Sequence, residues 1–513
     1  MWFAENKSWS QFRRSLGGFS AIVCKDGSTV WAEDASGKTI ASGEAGVDDA
    51  SVIQSAINSL DEGIIKLAAE KFMLKSGLVG KDHISIIGSG FGTILDVTEI
   101  GTDDVIRLGN YCKFGNLKIQ GTISPLPKEF TQAVIAGNYT KIFDLWITDT
   151  GYGIATTGKT DVTIENVIIT NVRDEKDWAA AIRAGPTSDY SAFSNRIYIR
   201  NFYIEGCNRG IEVEDGAEWV IAENGFLKNI QNYNATGAEP FTLDAHSHGE
   251  YFPKHIRYRN IRVENAYPPQ SRGSGNEDIV WENIWIIYPL GRIIIEGEGI
   301  IARNVHSEAQ LFSIYNTADR VVVEKCYWTQ YAENPALEIK GKNITIKECV
   351  IVAHPTSPHD GIVINDDAAE NIKIENNVFQ GSFPNVINIT NVSGNVFIGR
   401  NTFPSGVTAV TGLTNLAVID DNYNWVTKNS GTATFSGDGS TTDFLIGAHG
   451  LSVTDPSKIV VKVSPVSQDA INASPCVGYV DPADNTKIRV KFASAPVSGA
   501  DNVQIVWHAE VIS

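Results

Sequence analysis

DVTIENVII (161–169), RIYIRNFYI (196–204), WVIAENGFL (219–227), HIRYRNIRV (255–263) and DIVWENIWI (278–286) are five copies of one pattern, polar-apolar-x-apolar-x-Asn-apolar. Apolar and polar residues alternate with the period of a β-strand, and Asn marks a turn. The pattern continues beyond these copies. GIIARNVHS (299–307), RVVVEKCYW (320–328), NITIKECVI (343–351), NIKIENNVF (371–379), NVFIGRNTF (395–403) and AVIDDNYN (417–424) follow, while CKFGNLKI (112–119) and KIFDLWI (141–147) are fainter copies before them. Aligned on one column, the repeats fall at 116, 144, 166, 201, 224, 260, 283, 304, 325, 348, 376, 400 and 421. The steps are 28, 22, 35, 23, 36, 23, 21, 21, 23, 28, 24 and 21, and Asn fills eight of the thirteen positions.

A period just above 20 residues, built from period-2 strands and polar turns, describes a coil that climbs one rung per repeat. The reading is an all-β, right-handed parallel β-helix of about 13 rungs. Asn side chains stacked at a turn bond to one another along the ladder, which explains their recurrence. A many-stranded β-sandwich would show no fixed column. Cys326 and Cys349 each follow the column by one position and are expected to stack as buried free thiols.

Bulk properties agree with an elongated, water-facing chain. Of its 513 residues, 42% are hydrophobic and 20% charged. A net charge of −18 argues against a nucleic-acid partner, which needs basic surface. No apolar run reaches the roughly 18 residues of a membrane span. The start, MWFAENKSWSQFRRSLGG, lacks the charged-then-apolar layout of a signal peptide. The six cysteines show no zinc spacing, so no metal ligand set is expected from them. No cofactor is required by the pattern; calcium is admitted only at the Asp pair of IVINDD (362–367).

Residues 1–45 precede the repeats. GVDDASVIQSAINS (46–59) reads as an amphipathic helix with Val52, Ile53, Ala56 and Ile57 as its apolar stripe, placed to cover the open first rung. The β-helix is expected over 46–425. After the Ser/Thr/Gly-rich junction at 426–436, new strands separated by DPS, DPADN and SGADN turns indicate a β-sandwich over 430–513 that binds sugar or joins protomers. GSGFG (88–92) has the wrong glycine spacing for a dinucleotide loop.

The helix GVDDASVIQSAIN, the following IIKLAAEKFMLKSGLVGKDHISIIGSGFGTIL (64–95) and the rungs with Asn before the turn resemble the pectate-lyase-like right-handed β-helix superfamily, especially its phage tailspikes and surface depolymerases. The resemblance covers roughly 45–425. It implies a polysaccharide partner, an extracellular or virion-associated place, and admits a homotrimer. The superfamily hosts lyases, hydrolases, epimerases and adhesins, so fold alone names no activity. The polygalacturonase combination NTD, paired Asp, GHG and RIK is not present, nor is an Asp-rich calcium set. LDAHSHGE (243–250) with SRG (271–273) does resemble the Asp-x-His plus Arg pattern of some members.

Two rungs are longer than the rest, with their extra residues at 172–194 and 228–255. Such loops would wall a groove over the rung between them, where function concentrates. Strand alternation turns Arg183 outward in AAIRAG, Glu212 and Glu214 in GIEVEDG, Asp244, His246 and His248 in FTLDAHSHGE, and Arg272 in PPQSRGSG, while Phe241 points inward. Carboxylates on adjacent rungs lie about 5 Å apart, close enough to split their pKa values into an acid–base pair. Asp244, His246, His248, Arg272, Glu212 and Glu214 are the catalytic candidates. Arg183, Tyr267, Glu250, Arg257, Arg259 and Arg292 are the substrate-binding candidates, the arginines for sugar carboxylates. The bland alternative is a row of charges solvating an exposed sheet. The expectation is therefore an enzyme that cuts an acidic, uronate-containing glycan by β-elimination or hydrolysis; the alternative is a non-catalytic glycan-binding spike.

Overall fold

The computed structural model describes residues 18–512 except 101–103, 125, 128–130, 234–239, 309–311, 331–333, 413–416, 421 and 454. Column position 421 and the first part of the 1–45 segment thus lie outside the described residues. The chain forms two compact units: one runs to Val322 and includes Cys326–Trp328, and the other holds Val323–Lys325 and Thr329 onward.

The first unit opens with an antiparallel meander, Ala21–Asp26, Thr29–Asp34 and Thr39–Glu44. Ala21–Asp26 also pairs in parallel with Gly63–Leu67, so the meander is continuous with the coil. The helix runs Asp49–Ser59 and buries Val52, Ile53, Ala56 and Ile57. Asp49 does more than favour a helix N-terminus. It is fully buried, meets Lys25 Nζ at 2.7 Å and accepts from the Met73 amide at 2.7 Å. The helix is pinned to two other elements through one carboxylate.

Long strands then stack in parallel: Lys113–Gln120, Lys141–Thr148, Thr160–Thr170, Asn195–Glu205, Glu218–Lys228, Lys254–Glu264, Glu277–Ile287 and Ile301–Glu308. Their register repeats the offsets read from sequence. Val162 lies opposite Ile197 and Ile221 opposite Arg257, the 35- and 36-residue steps. Short strands form a second parallel face of ten members among the described residues, from Leu78–Val79 to Phe312–Ile314.

The Asn column is a left-handed bend. Every described column position, from Asn116 to Arg400, has a positive φ, between 47° and 58°. Asn tolerates this region better than other non-glycine residues, because its short side chain bonds locally. The side chains form the ladder: Asn201 donates to Asn166 at 3.1 Å, Asn260 to Asn224 at 3.2 Å, Asn283 to Asn260 at 2.9 Å and Asn304 to Asn283 at 3.0 Å. A parallel bend five residues earlier has no sequence signature, for it holds Tyr139, Asp161, Arg196, Trp219, His255 and Asp278.

In the second unit, Leu337–Ile339, Ile362–Asn365, Asn385–Asn391 and Thr408–Thr411 stack in parallel, as do Lys342–Lys347, Ile372–Glu375, Val396–Gly399 and Ala417–Asp420. One position after the bend runs a buried ladder, Asn377 to Asn401 at 3.0 Å and Asn401 to Asn422 at 3.0 Å. All six cysteines are free thiols, and only Cys476 is not fully buried. Asp366 accepts from the Ala368 amide and Asp367 from Asn391, so the pair weighed for calcium holds its own turn and the next rung. Residues from Lys428 form two three-stranded antiparallel sheets. Their facing side chains make two cores, around Phe492 and Ile505 and around Ile488 and Trp507. Among the described residues no helix is long and apolar enough to cross a membrane.

Candidate functional site

The short-strand face of the first unit carries the site. Strand pairing sets Arg183 opposite Glu212, Glu212 opposite Asp244 and Asp244 opposite Gln270. Two residues further along each strand, Glu214 lies opposite His246 and His246 opposite Arg272. Both columns follow the rung spacing of about 4.8 Å.

These side chains leave the solenoid interior, yet they are not exposed as an open sheet face would be. Glu212 is 1% exposed, Glu214 4%, Asp244 0% and His246 5%. The two insertions cause this. Trp178 and Tyr190 from the first, with Phe241 and His248 from the second, wall a groove of about 1110 Å³ whose floor is the strand between them.

Burying so many charges costs several kcal/mol per ion unless each finds a partner, and here they do. Arg183 Nε donates to Glu214 Oε1 at 2.5 Å and lies 3.5 Å from Glu212 Oε2. Arg209 Nη1 donates to Glu212 Oε1 at 2.5 Å. His246 bonds Asp244 through Nδ1 and turns Nε2 toward Glu214 Oε2, 3.7 Å away. Arg272 Nε is 4.0 Å from Asp244 Oδ1. The ring of Phe241 lies 4.7 Å from the Arg209 guanidinium and 5.5 Å from that of Arg272. Asp215, left-handed at φ 32°, accepts from Tyr190 Oη at 3.0 Å and from the His248 amide at 2.7 Å, linking one insertion to the other.

The two glutamates are driven apart in acidity. Burial pushes Glu214 upward and the charge of Glu212 adds to it, to about 7. Burial also acts on Glu212, but Arg209, Arg183 and His246 outweigh it and hold that carboxyl below its usual range. Burial raises Asp244. Desolvation alone would lower His246; its contact with Asp244 reverses this and lifts it to about 9. His246, held against Asp244, is thus an imidazolium at neutral pH. Burial, then the neighbouring Arg209 charge, lowers Arg272.

Seven of the candidates meet here: Arg183, Glu212, Glu214, Asp244, His246, His248 and Arg272. Five do not. Arg257 and Arg259 lie on Lys254–Glu264, in the other sheet, where Arg257 forks onto Asp278 at 2.6 and 2.7 Å and Arg259 is 3.8 Å from Glu223. The chain turns a corner between these strands and the groove, so sequence proximity to Asp244 brings them no closer. The Tyr267 ring covers Gly291. Glu250 is exposed, past the wall, and Arg292 donates to Tyr315 Oη at 2.5 Å. Phe241 is a correction of another kind. It stands before the strand Leu243–His246 begins, so strand alternation does not apply to it, and its ring faces His246 in the groove wall.

Sequence reasoning missed Arg209, Asp215, Tyr190 and Trp178. Arg209 and Asp215 flank GIEVE directly, and treating each charged neighbour of that strand as a candidate would have found them. The two insertion aromatics carry no periodic signal. Glu214, His246 and His248 each offer a ligand-type atom, all within 4.8 Å of one another.

No protein-family model matches the sequence, and no curated protein does. Solved structures match in shape. The tailspike protein gp49 from Pseudomonas phage LKA1 superposes with a TM-score of 0.51 at 10% identity, over 90% of this chain and 92% of that one. The Pseudomonas phage phi297 tailspike gp61 gives 0.48 at 11% identity, covering 90% and 91%. A tailspike mutant of E. coli bacteriophage HK620 in complex with pentasaccharide gives 0.48 at 11% identity, covering 93% and 92%. The strand pairing and the first of these likenesses agree, and the chain has the parallel β-helix fold found in a phage tailspike.

Proposed function

We propose that this protein hydrolyses a polysaccharide in the groove. The observation that carries the reading is the placing of Glu212 and Glu214, alternate residues of one strand, both held by Arg183 on the floor between the two insertions. Glycoside hydrolysis needs two carboxyl groups with different protonation at one bond. Glu214 is the proton donor to the glycosidic oxygen. Glu212, kept ionised by Arg209 and Arg183, is the carboxylate that assists water or the sugar cation. Asp244 and His246 hold the neighbouring rung in a fixed charge arrangement, which spares reorganisation when charge develops. Half-exposed Trp178 and Tyr190 offer ring faces to sugar.

Elimination fits less well. It needs a free base at C5, whereas His246 is held as an imidazolium by Asp244. A preference for acidic glycans rests on Arg272, at the groove beside Phe241. Such polymers are met outside cells, and we place the protein there or on a virion.

The test is a digest of polygalacturonate, alginate, glucuronan, hyaluronan, xanthan and neutral glucans, following reducing ends and ultraviolet absorbance together. Reducing ends without absorbance support hydrolysis. A parallel rise in absorbance means elimination and overturns it; binding without cleavage returns the spike alternative. Glu214→Gln and Glu212→Gln should each lower turnover about 10²- to 10⁴-fold, the range for a lost acid–base group, with glycan affinity retained.

A further inference from the structure

We infer that Glu214, His246 and His248 form a seat for one divalent transition-metal ion of the Zn²⁺ and Co²⁺ class. The three ligand-type atoms lie within 4.8 Å of one another, in a groove open enough for a water molecule to complete the set. Each imidazole has a carboxylate at its Nδ1. His246 gives Nδ1 to Asp244, and His248 sets Nδ1 3.3 Å from Asp215 Oδ2. A carboxylate behind a histidine is the support that metal-binding imidazoles ordinarily have, because it fixes the tautomer and the ring direction. Here two histidines two residues apart have it from two separate aspartates.

Glu214 is divided in the same way. Its Oε1 is spent on Arg183, and its Oε2 faces His246 Nε2 at 3.7 Å. That gap is too long for a hydrogen bond. It suits two ligands of one ion, each about 2.0–2.2 Å from the metal. His246 is nine-tenths buried with Nε2 directed at this gap, and an ion binds there by displacing the Nε2 proton of the imidazolium. Two imidazoles and one carboxylate favour borderline ions over Ca²⁺ or Mg²⁺, which prefer oxygen alone. Adjacent rungs supply Glu214 and His246 in fixed register on strands, and His248 follows two residues past the strand end.

The inference goes beyond the hydrolase reading, since the seat is present whether or not the groove cuts sugar. If Glu214 is the proton donor, an ion on its Oε2 withholds it from the glycosidic oxygen and metal suppresses turnover.

The test measures binding. Full-length protein freed of metal by chelator dialysis is titrated with CoCl₂, following the visible d–d bands, and with ZnCl₂ by calorimetry. The expected result is a one-to-one complex whose bands report imidazole ligation in a four- or five-coordinate site. His248→Gln, at a side chain 63% exposed and so safe for folding, should weaken binding at least about tenfold. Asp215→Asn should weaken it less, with an altered band shape. Absence of a saturable Co²⁺ band, or wild-type affinity in His248→Gln with unchanged circular dichroism, overturns the inference. A digest that shows no cleavage leaves this measurement untouched, so failure of either reading is seen separately.

Discussion

Asn260 has a backbone φ of 55°, gives a hydrogen bond to Asn224 and takes one from Asn283. Asn260→Gly keeps the left-handed bend and loses both side-chain bonds. Asn260→Val loses the bonds and adds the left-handed penalty, about 1–2 kcal/mol for a residue with a Cβ. Urea unfolding should rank wild type above Gly and Gly above Val, with the two variants separated by about that amount. The same scale explains what was legible in the site. Arg183, Glu212, Asp244 and His246 alternate with Ile182, Ile211, Leu243 and Ala245, so their direction could be read from the chain. Their burial could not, since it depends on the groove walls, to which the two insertions contribute Trp178, Tyr190 and Phe241.

Strands are held by what stacks above and below them. Leu117, Leu145, Val167, Phe202, Gly225, Ile261, Ile284 and Val305 form one column in successive rungs. Gly225 stands in this apolar column because the Phe202 ring fills its place; a Cβ there would come within 1.9 Å of Phe202 Cζ. Gly225→Val should cost about 1–3 kcal/mol by overpacking. Phe202→Val should also destabilise, by leaving a void. The double variant should lose clearly less than the two together, since the pair exchanges volume across one contact. Additive losses in a double-mutant cycle would sink this account. A second test at this scale is electrostatic. Burial would raise Asp96, but Lys71 at 2.5 Å and Thr98 at 2.7 Å outweigh it and hold it below its ordinary value. A carboxyl lowered by folding stabilises the fold above its unfolded pKa, about 3.9, and loses that contribution as pH falls through its folded value. Asp96→Asn should therefore be less stable than wild type at pH 7, and the difference should shrink by pH 3.

At the scale of the whole chain, Lys428 to Val511 contains two apolar cores of its own within two antiparallel sheets. A fragment from Trp425 to Ser513 should fold alone, with a cooperative thermal transition and a β-type circular dichroism spectrum; a disordered fragment would show that it depends on the rungs before it. The sequence by itself determined the coil, its register and the bend column, because parallel stacking imposes one period on every rung and Asn suits a left-handed turn. It also determined which side chains leave the interior on AAIRAG, GIEVEDG and LDAH. Tertiary structure alone decided what those side chains meet. The insertions that lengthen two rungs to 35 and 36 residues have no period, so only their folded path shows that Tyr190 and His248 both reach Asp215, that Arg257 and Arg259 turn onto another sheet, and that Glu212 and Glu214 share Arg183 away from water. Burial and partnership belong to atoms distant in the chain, and those set the charge of a carboxyl group.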